Sequence, residues 1–310
     1  MINSTATHDL SKLLEHIDGA YASNTIRAYK ADMLEFIQFC NQTSSTALPA
    51  SPLTVSGFLQ STTIQGIKNS TIRRKAASVS AIHRLLNYAD PTKHPEVKLT
   101  LRKISRQLGN RFDQAYPVTR ELLNTLLAAS TNDVRGLRNK ALLLLAYDSM
   151  RRRSELTSLR IEDISWLPDQ NCCILLRRSK TDQQGSGKWI HLTAETTLAI
   201  KRWLEKANLS EGLILRGITP GGHITSSLCE SRISRIYKSL ARLGALNEDV
   251  VSGISGHSMR VGAAQDLLRI GASLPQIMAK GGWSKTDTVM RYVERSPVNL
   301  WHTGMNIAAQ

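Results

Sequence analysis

The 310-residue chain has no apolar run approaching the ~18 residues of a membrane span. Its opening stretch, MINSTATHDLSKLLEHIDG, carries acidic residues and no long apolar segment, which argues against a secretory signal. Cysteine is scarce. Cys40, Cys172, Cys173 and Cys229 include no CxxC pair, so the usual zinc spacing is missing. Cys172 and Cys173 lie side by side in an apolar run and read as strand residues, and the set fits a reducing, cytoplasmic setting. No cluster of acidic residues has metal-ligand spacing, so no metal and no cofactor are expected. Repeats and low-complexity segments are also missing.

Negative charge is in short supply. There are 25 Asp and Glu against 40 Lys and Arg, a net charge of +15. Such an excess suits a polyanion, nucleic acid being the commonest. The excess is shared: residues 1–115 carry +6 and the remainder +9. Both halves are therefore expected to touch a phosphate backbone.

The first hundred residues read as helices. Ser23-Asn24-Thr25 offers caps for a helix in which Ile26, Tyr29, Met33, Phe36, Ile37 and Cys40 recur at helical spacing. Ser51-Pro52 is a helix start. From Ser70, an apolar stripe runs through Ile72, Ala76, Val79, Ile82 and Leu86, with Arg73, Arg74 and Lys75 largely off it. From Pro95 a second stripe runs beside Lys98, Arg102, Lys103 and Arg106. Such charges usually mark a solvated face. Two basic faces in one small helical domain also suit DNA, so these seven residues are candidate contacts.

GNRFDQAYP (109–117) lacks periodicity and reads as a linker between a helical domain, 1–108, and a second domain, 118–310. In the second domain Thr119 caps a helix reaching Leu127, and an apolar helix lies around Ala141–Tyr147. Two strands, 172–178 and 188–192, flank a loop of hairpin composition. Helical patterns cover 194–206, 226–242 and His257 to Gly271. Ser273 and Gln276 form a capping box for a short helix ending at Gly281-Gly282. A last pair covers 285–293 and 298–308, and Trp301, Met305 and Ala308 share a face of the final helix. The fold class expected is mainly α, an all-helical domain followed by a mostly helical one with a small antiparallel sheet.

Several residues stand out chemically, each with an ordinary alternative. His257 and Arg260 fall at i and i+3, so an imidazole and a guanidinium share a helix face, or merely a surface helix start. Arg152, in SMRRRSEL, sits at the end of the apolar helix, where three arginines usually mean a solvated end. Glu155, three residues on, is placed to hold its fork. Lys180 lies on a glycine-containing loop able to swing into a site. Tyr292 lies on a short amphipathic helix. A phenol ordinarily keeps its proton at neutral pH and is a poor nucleophile unless a neighbour removes or shares it.

Taken in chain order, Arg152, Glu155, Lys180, His257, Arg260, Trp283 and Tyr292 resemble the tyrosine recombinase (phage integrase) family. YDSMRRRSELTSLRIEDI resembles the family's first arginine box, in a register that places Arg152 at the catalytic position. The SKT loop resembles its mobile lysine hairpin, and GHSMRVGAAQDLLRIGASLPQIMAKGGWSKTDTVMRYV its C-terminal motif. The likeness spans about residues 20–305, firmly in the second half. Trp283 stands where many members carry a second histidine.

The resemblance implies a helical core-binding domain and a catalytic domain closing on double-stranded DNA. It also implies strand cleavage by Tyr292 through a 3′-phosphotyrosine. Arg152 and Arg260 would hold the phosphate, with Lys180 as general acid. His257 would assist proton transfer, Trp283 would bind the phosphate and Glu155 would support Arg152. Neither metal nor ATP is needed. A monomer without DNA and a homotetramer on two sites are implied, in a bacterial, phage or plasmid setting near the nucleoid. A non-catalytic DNA-binding regulator accounts for the charge but not the residue set. A type IB topoisomerase-like relaxase shares the chemistry, but the C-terminal motif argues against it.

Overall fold

A computed structural model describes residues 3–109, 114–179 and 185–294. The chain divides into two compact units, Met1–Asp113 and Gln114–Gln310. Lys180 and the expected final helix, 298–308, lie outside the described residues.

The first unit is helical: α1 (Ser4–His16), α2 (Ser23–Gln42), α3 (Pro52–Ile64), α4 (Asn69–Leu85) and α5 (Pro95–Leu108). Its core gathers the apolar positions of all five helices, with Phe36 and Phe58 edge to face at 5.1 Å. Ser51 caps α3 by accepting from the Thr54 N–H, with proline at the first turn, as the sequence predicts. Ser23-Asn24-Thr25 does not cap α2. Those residues form its first turn, Ala22 occupies the cap position, and the Asn24 side chain accepts from Arg27 instead.

The basic run on α4 also departs from the solvated face expected for it. The Asp32 carboxylate of α2 is buried and accepts from Arg74 at 2.6 Å and from the Ser78 hydroxyl at 2.6 Å. Lys75 is buried too and pairs with Glu35. Two acidic residues on α2 draw polar side chains of α4 inward, which an apolar stripe on α4 alone does not reveal. Arg73 stays exposed near Ser105 of α5, and Lys98, Arg102, Lys103 and Arg106 are exposed along α5.

The second unit comprises α6 (Arg120–Ala128), α7 (Val134–Ser149), α8 (Arg153–Ser158), β1 (Ile164–Trp166), β2 (Cys172–Leu176), β3 (Lys188–Leu192), α9 (Ala194–Lys206), α10 (Glu230–Leu243), α11 (Glu248–Gly253), α12 (Ser258–Arg269), α13 (Leu274–Gly281) and α14 (Thr286–Val293). From Ala141 to Ala146 every residue of α7 is buried, and this stretch forms the centre of the core. Asp133 starts it by accepting from the Gly136 N–H at 2.7 Å. The sheet is antiparallel in the order β1-β2-β3, with Ile174 opposite both Ile164 and Ile190. The sequence predicts two strands, and β1 is a third. It has three residues, too few to show alternation. β2 also ends at Leu176 rather than 178, because Arg177 turns out to pair with Asp163.

α10 begins four residues later than expected. Residues 217–227 instead form a turn in which Thr225 donates to Gly217 and Gly217 to Ser227. The capping box of Ser273 and Gln276 is present on α13. The chain enters the unit along a short extended segment. Tyr116 donates to the Gly253 carbonyl at 2.9 Å and Val118 to that of Ser258 at 3.0 Å. The stretch 109–117, expected as a linker, thus straddles the boundary, its last residues belonging with the second unit. A side chain on Gly262 would meet the Val118 carbonyl oxygen at 1.9 Å, so only glycine admits this approach.

The α2–α4 polar contact generates a test. Asp32→Ala strands Arg74 and the buried Ser78 hydroxyl and should lower stability by about 2 kcal/mol, whereas Lys103→Ala on exposed α5 should change it by under about 0.5 kcal/mol. Urea unfolding of the two variants measures both. Equal effects would show that the α2–α4 contact is not stabilising.

Candidate active site

The site is built where α7 stops. Met150 takes a left-handed backbone, φ 54°, and ends the helix. The three arginines after it therefore lie beyond the helix and take separate directions, one of them inward. Arg151 is buried and folds back, its Nε donating to the Ser149 carbonyl at 2.8 Å and its guanidinium to the carbonyl of Lys280 at the end of α13. It ties two helix ends together. Arg153 opens α8. Arg152 lies between them, and its side chain is 26% exposed.

Glu155 fixes Arg152 twice. One carboxylate oxygen accepts from the Arg152 backbone N–H at 3.0 Å and the other from its Nη1 at 2.8 Å. Burial alone would raise the Glu155 carboxyl, but these hydrogen bonds and the arginine charges outweigh it and hold it below the ordinary range. The carboxylate stays ionised and the fork stays oriented. Arg152 and Glu155 line a pocket of about 330 Å³ with Gly187, Lys188 and Trp283. Lys188 donates to the Ala279 carbonyl at 2.7 Å, and burial followed by the Arg151 charge lowers it.

Arg260, on the first turn of α12, is 2% exposed. It donates through Nη1 to the Met150 carbonyl, the residue that ends α7. Its Nη2 is buried and has no hydrogen-bond partner among the described residues. The guanidinium lies 4.1 Å from the centre of the Trp283 ring, a cation–π stack. Trp283 in turn lies 5.6 Å from the Tyr292 ring. Burial, then the Arg152 charge, pushes Arg260 down to about 10, so it remains a cation at neutral pH. Gly281 makes room for the indole, since a Cβ there would fall 2.0 Å from the ring.

His257 occupies the cap position before α12 and reaches solvent. The protein packed around it, and then the charges of Arg153, Arg260 and Arg152, hold its imidazole below the ordinary range. Tyr292 is half-buried on α14. Two amides converge on its backbone carbonyl: Gln265 of α12 at 2.9 Å and Gln114 at 3.3 Å. They satisfy one of the carbonyls that a helix end leaves without an intrahelical donor. Neither glutamine is marked in the sequence. Gln114 falls in the stretch read as linker, and Gln265 lies inside the C-terminal motif without being singled out there.

Arg152, Glu155, Arg260, Trp283 and Tyr292 are thus linked by contacts, with His257 beside the arginines. Arg73, Arg74, Lys75, Lys98, Arg102, Lys103 and Arg106 all lie in the other unit. Among the described residues no group of three or more His, Cys, Asp or Glu is placed to hold a metal ion. No helix there is long and apolar enough to cross a membrane.

The chain is similar over nearly its whole length to known proteins. It is 28% identical over 298 residues to an integrase/recombinase xerD homolog of Selenomonas ruminantium, covering 93% of this chain and 86% of that protein. It is 26% identical over 290 residues to recombinase cre of Escherichia phage P1, covering 88% and 84%. Its fold matches that of the XerH site-specific recombinase bound to palindromic difH substrate in a post-cleavage complex. There the TM-score is 0.69 and the identity 17%, with 96% of this chain and 83% of that one covered. Residues 11–89 match the phage integrase N-terminal SAM-like domain. With residues 118–297 matching the phage integrase family itself, the chain belongs to that family and is a tyrosine recombinase.

Proposed function

We propose that this enzyme cuts and rejoins DNA at specific sites through a transient 3′-phosphotyrosine at Tyr292. The observation that carries the reading is the bare Nη2 of Arg260. A buried guanidinium nitrogen without an acceptor is costly, and here it sits one indole away from a tyrosine. A phosphate oxygen supplies the acceptor it lacks. Arg152, oriented by Glu155, provides a second fork for the non-bridging oxygens. The two cations offset the charge that builds up as the phenolic oxygen attacks, which is the largest contribution such a site makes.

Bond making and breaking balance without an external energy source. The Tyr292 oxygen bonds phosphorus, the 5′ oxygen leaves, and a proton must reach it. Lys180 in the β2–β3 connection, outside the described residues, is the donor in this reading. His257, depressed and so largely neutral at pH 7, accepts or shares the phenol proton. Trp283 presents its indole N–H to the phosphate. A second 5′-hydroxyl then reverses the step on a new strand. Because guanidinium charge does the stabilising, the reaction needs neither metal nor nucleotide.

Exposed Arg73, Lys98, Arg102, Lys103 and Arg106 are the backbone contacts proposed in the first unit. Arg74 and Lys75 are already neutralised by Asp32 and Glu35 and are the weaker candidates. Four copies on two paired DNA sites complete the proposal, and the segment holding Trp301 and Met305 is the link between neighbours.

Tyr292→Phe removes one oxygen, so duplex binding should survive while covalent adducts on a nicked suicide duplex disappear. Wild-type adducts should persist in excess EDTA. Adducts from the Phe variant, or a loss under EDTA that Mg²⁺ restores, would overturn the assignment.

Arg152→Lys loses the fork and should slow adduct formation by at least roughly 10²-fold with the melting temperature little changed. Arg151→Lys should instead lower the melting temperature, because it breaks contacts between two helix ends. The reverse pattern would move the catalytic register to Arg151.

His257 should titrate below the ordinary ~6.5 in the free protein, since its pKa is lowered. A nearby phosphate favours the cation, so its midpoint should rise on a duplex. In the free protein its contribution to stability falls as pH drops below the unfolded value, because the unfolded chain then binds the proton more readily. Imidazole NMR shifts across pH, with and without duplex, measure it. A free-state midpoint above the ordinary value would contradict the site electrostatics.

A further inference from the structure

The chemistry above uses the C-terminal end of α7. The other end of the same helix carries a second cluster of positive charge that the chemistry leaves unused. Arg135 and Arg138 on α7, with Arg232 and Arg235 on α10, line one cavity of about 490 Å³. Arg138 is the buried member, 4% exposed, and the other three reach solvent.

A buried guanidinium ordinarily faces a carboxylate, because an isolated charge is costly to remove from water. Among the described residues none of these four arginines makes an ion pair. Arg138 donates to the Arg216 carbonyl at 3.0 Å and to the Asn139 side-chain oxygen at 2.9 Å. Arg135 donates to the carbonyls of Ile218 at 3.3 Å and Thr219 at 2.8 Å. Neutral dipoles thus hold them, and the charge remains. The single carboxylate on the cavity wall, Asp133, is already engaged by the Gly136 N–H and the Thr131 hydroxyl. Burial, and then the charges of Arg135 and Arg232, push Arg138 down to about 10. Four like charges converging on a concave space with one occupied carboxylate is an arrangement that an oxyanion relieves. Forked donors match the oxygens of a phosphate group.

We propose that this cavity is a phosphate-binding site distinct from the nucleophile's pocket, with Arg138 at its base and Arg135, Arg232 and Arg235 around it. The α7 rise separates the two sites by roughly 20 Å, at ~1.5 Å per residue. They share no lining residue. The phosphate group comes either from the backbone of a bound duplex or from a free phosphoanion, and one pair of measurements separates these sources.

The variant is Arg232→Gln with Arg235→Gln, two exposed side chains outside the catalytic constellation, made in the full chain. Inorganic pyrophosphate is titrated while the Arg138 Nε–H signal is followed by NMR. A saturable shift in the wild type, weakened at least about tenfold in the double variant, supports the site with a free anion. Affinity for a mixed-sequence duplex is measured in parallel over a salt series. A fall of about 1–2 in the slope of log K against log salt supports a backbone phosphate as occupant. Both effects together support a site open to either source. No saturable shift in the wild type and an unchanged slope in the variant overturn the proposal, and the arginines then serve only to hold the 216–219 carbonyls. Tyr292 adducts on a saturating duplex should form at the wild-type rate in the double variant. That keeps a failure here separate from a failure of the strand-cleavage reading.

Discussion

The catalytic end of the second unit is arranged around a guanidinium kept out of water, its Nη2 bare among the described residues. Burying Arg260 is unfavourable by itself, and its surroundings supply only part of what water gave it. One carbonyl, from Met150, accepts a hydrogen bond, and one indole face, from Trp283, stacks on the charge. Nη2 lacks a partner among the described residues. The folded protein tolerates that cost because the apolar core around α7 is extensive. Stability taken from packing is held as unmet hydrogen-bonding capacity at the site, which in the proposed reaction a phosphate oxygen would meet.

The constraint spreads outward from Arg260. Its acceptor is the residue that breaks α7, so the left-handed turn at Met150 sets both where the helix stops and where the arginine docks. Arg151 then anchors that turn to the Lys280 carbonyl at the end of α13, three residues before the Trp283 that stacks on Arg260. Glycine at 281 and a positive φ at Gly282 let α13 end close enough for the ring. A loss at any one of these points displaces the others, which is why neighbouring arginines in SMRRRSEL serve such different ends.

Most of this architecture was legible before any coordinates. Helical spacing marks α2, α4, α5 and the core of α7, the Ser51-Pro52 start marks α3, and the Ser273–Gln276 pattern marks α13. The family resemblance was carried by residues that chemistry had already singled out. What escaped has physical causes. β1 and α11, at three and six residues, are too short for a period to repeat. The inward turn of Lys75 depends on Glu35, and that of Ser78 on Asp32, both distant in sequence. The break at Met150 is a left-handed residue that is neither glycine nor asparagine, so no turn signal announces it. Gln114 and Gln265 act through a backbone carbonyl, and no side-chain pattern records that kind of contact.

The tie between Val118 and Gly262 bears on how such a chain varies over evolutionary time. The strand-like entry of residues 116–118 is stitched to α11 and α12, and the carbonyl of Val118 leaves no room for any side chain opposite it. Insertions or deletions are therefore constrained from Gln114, the donor to the Tyr292 carbonyl, and most tightly from Tyr116. Downstream of it, a single added residue shifts the backbone that rests on the helix of Arg260. The joint between the units is thus clamped on its downstream side. A graft made at Val118 would break into the backbone that rests on the helix of Arg260.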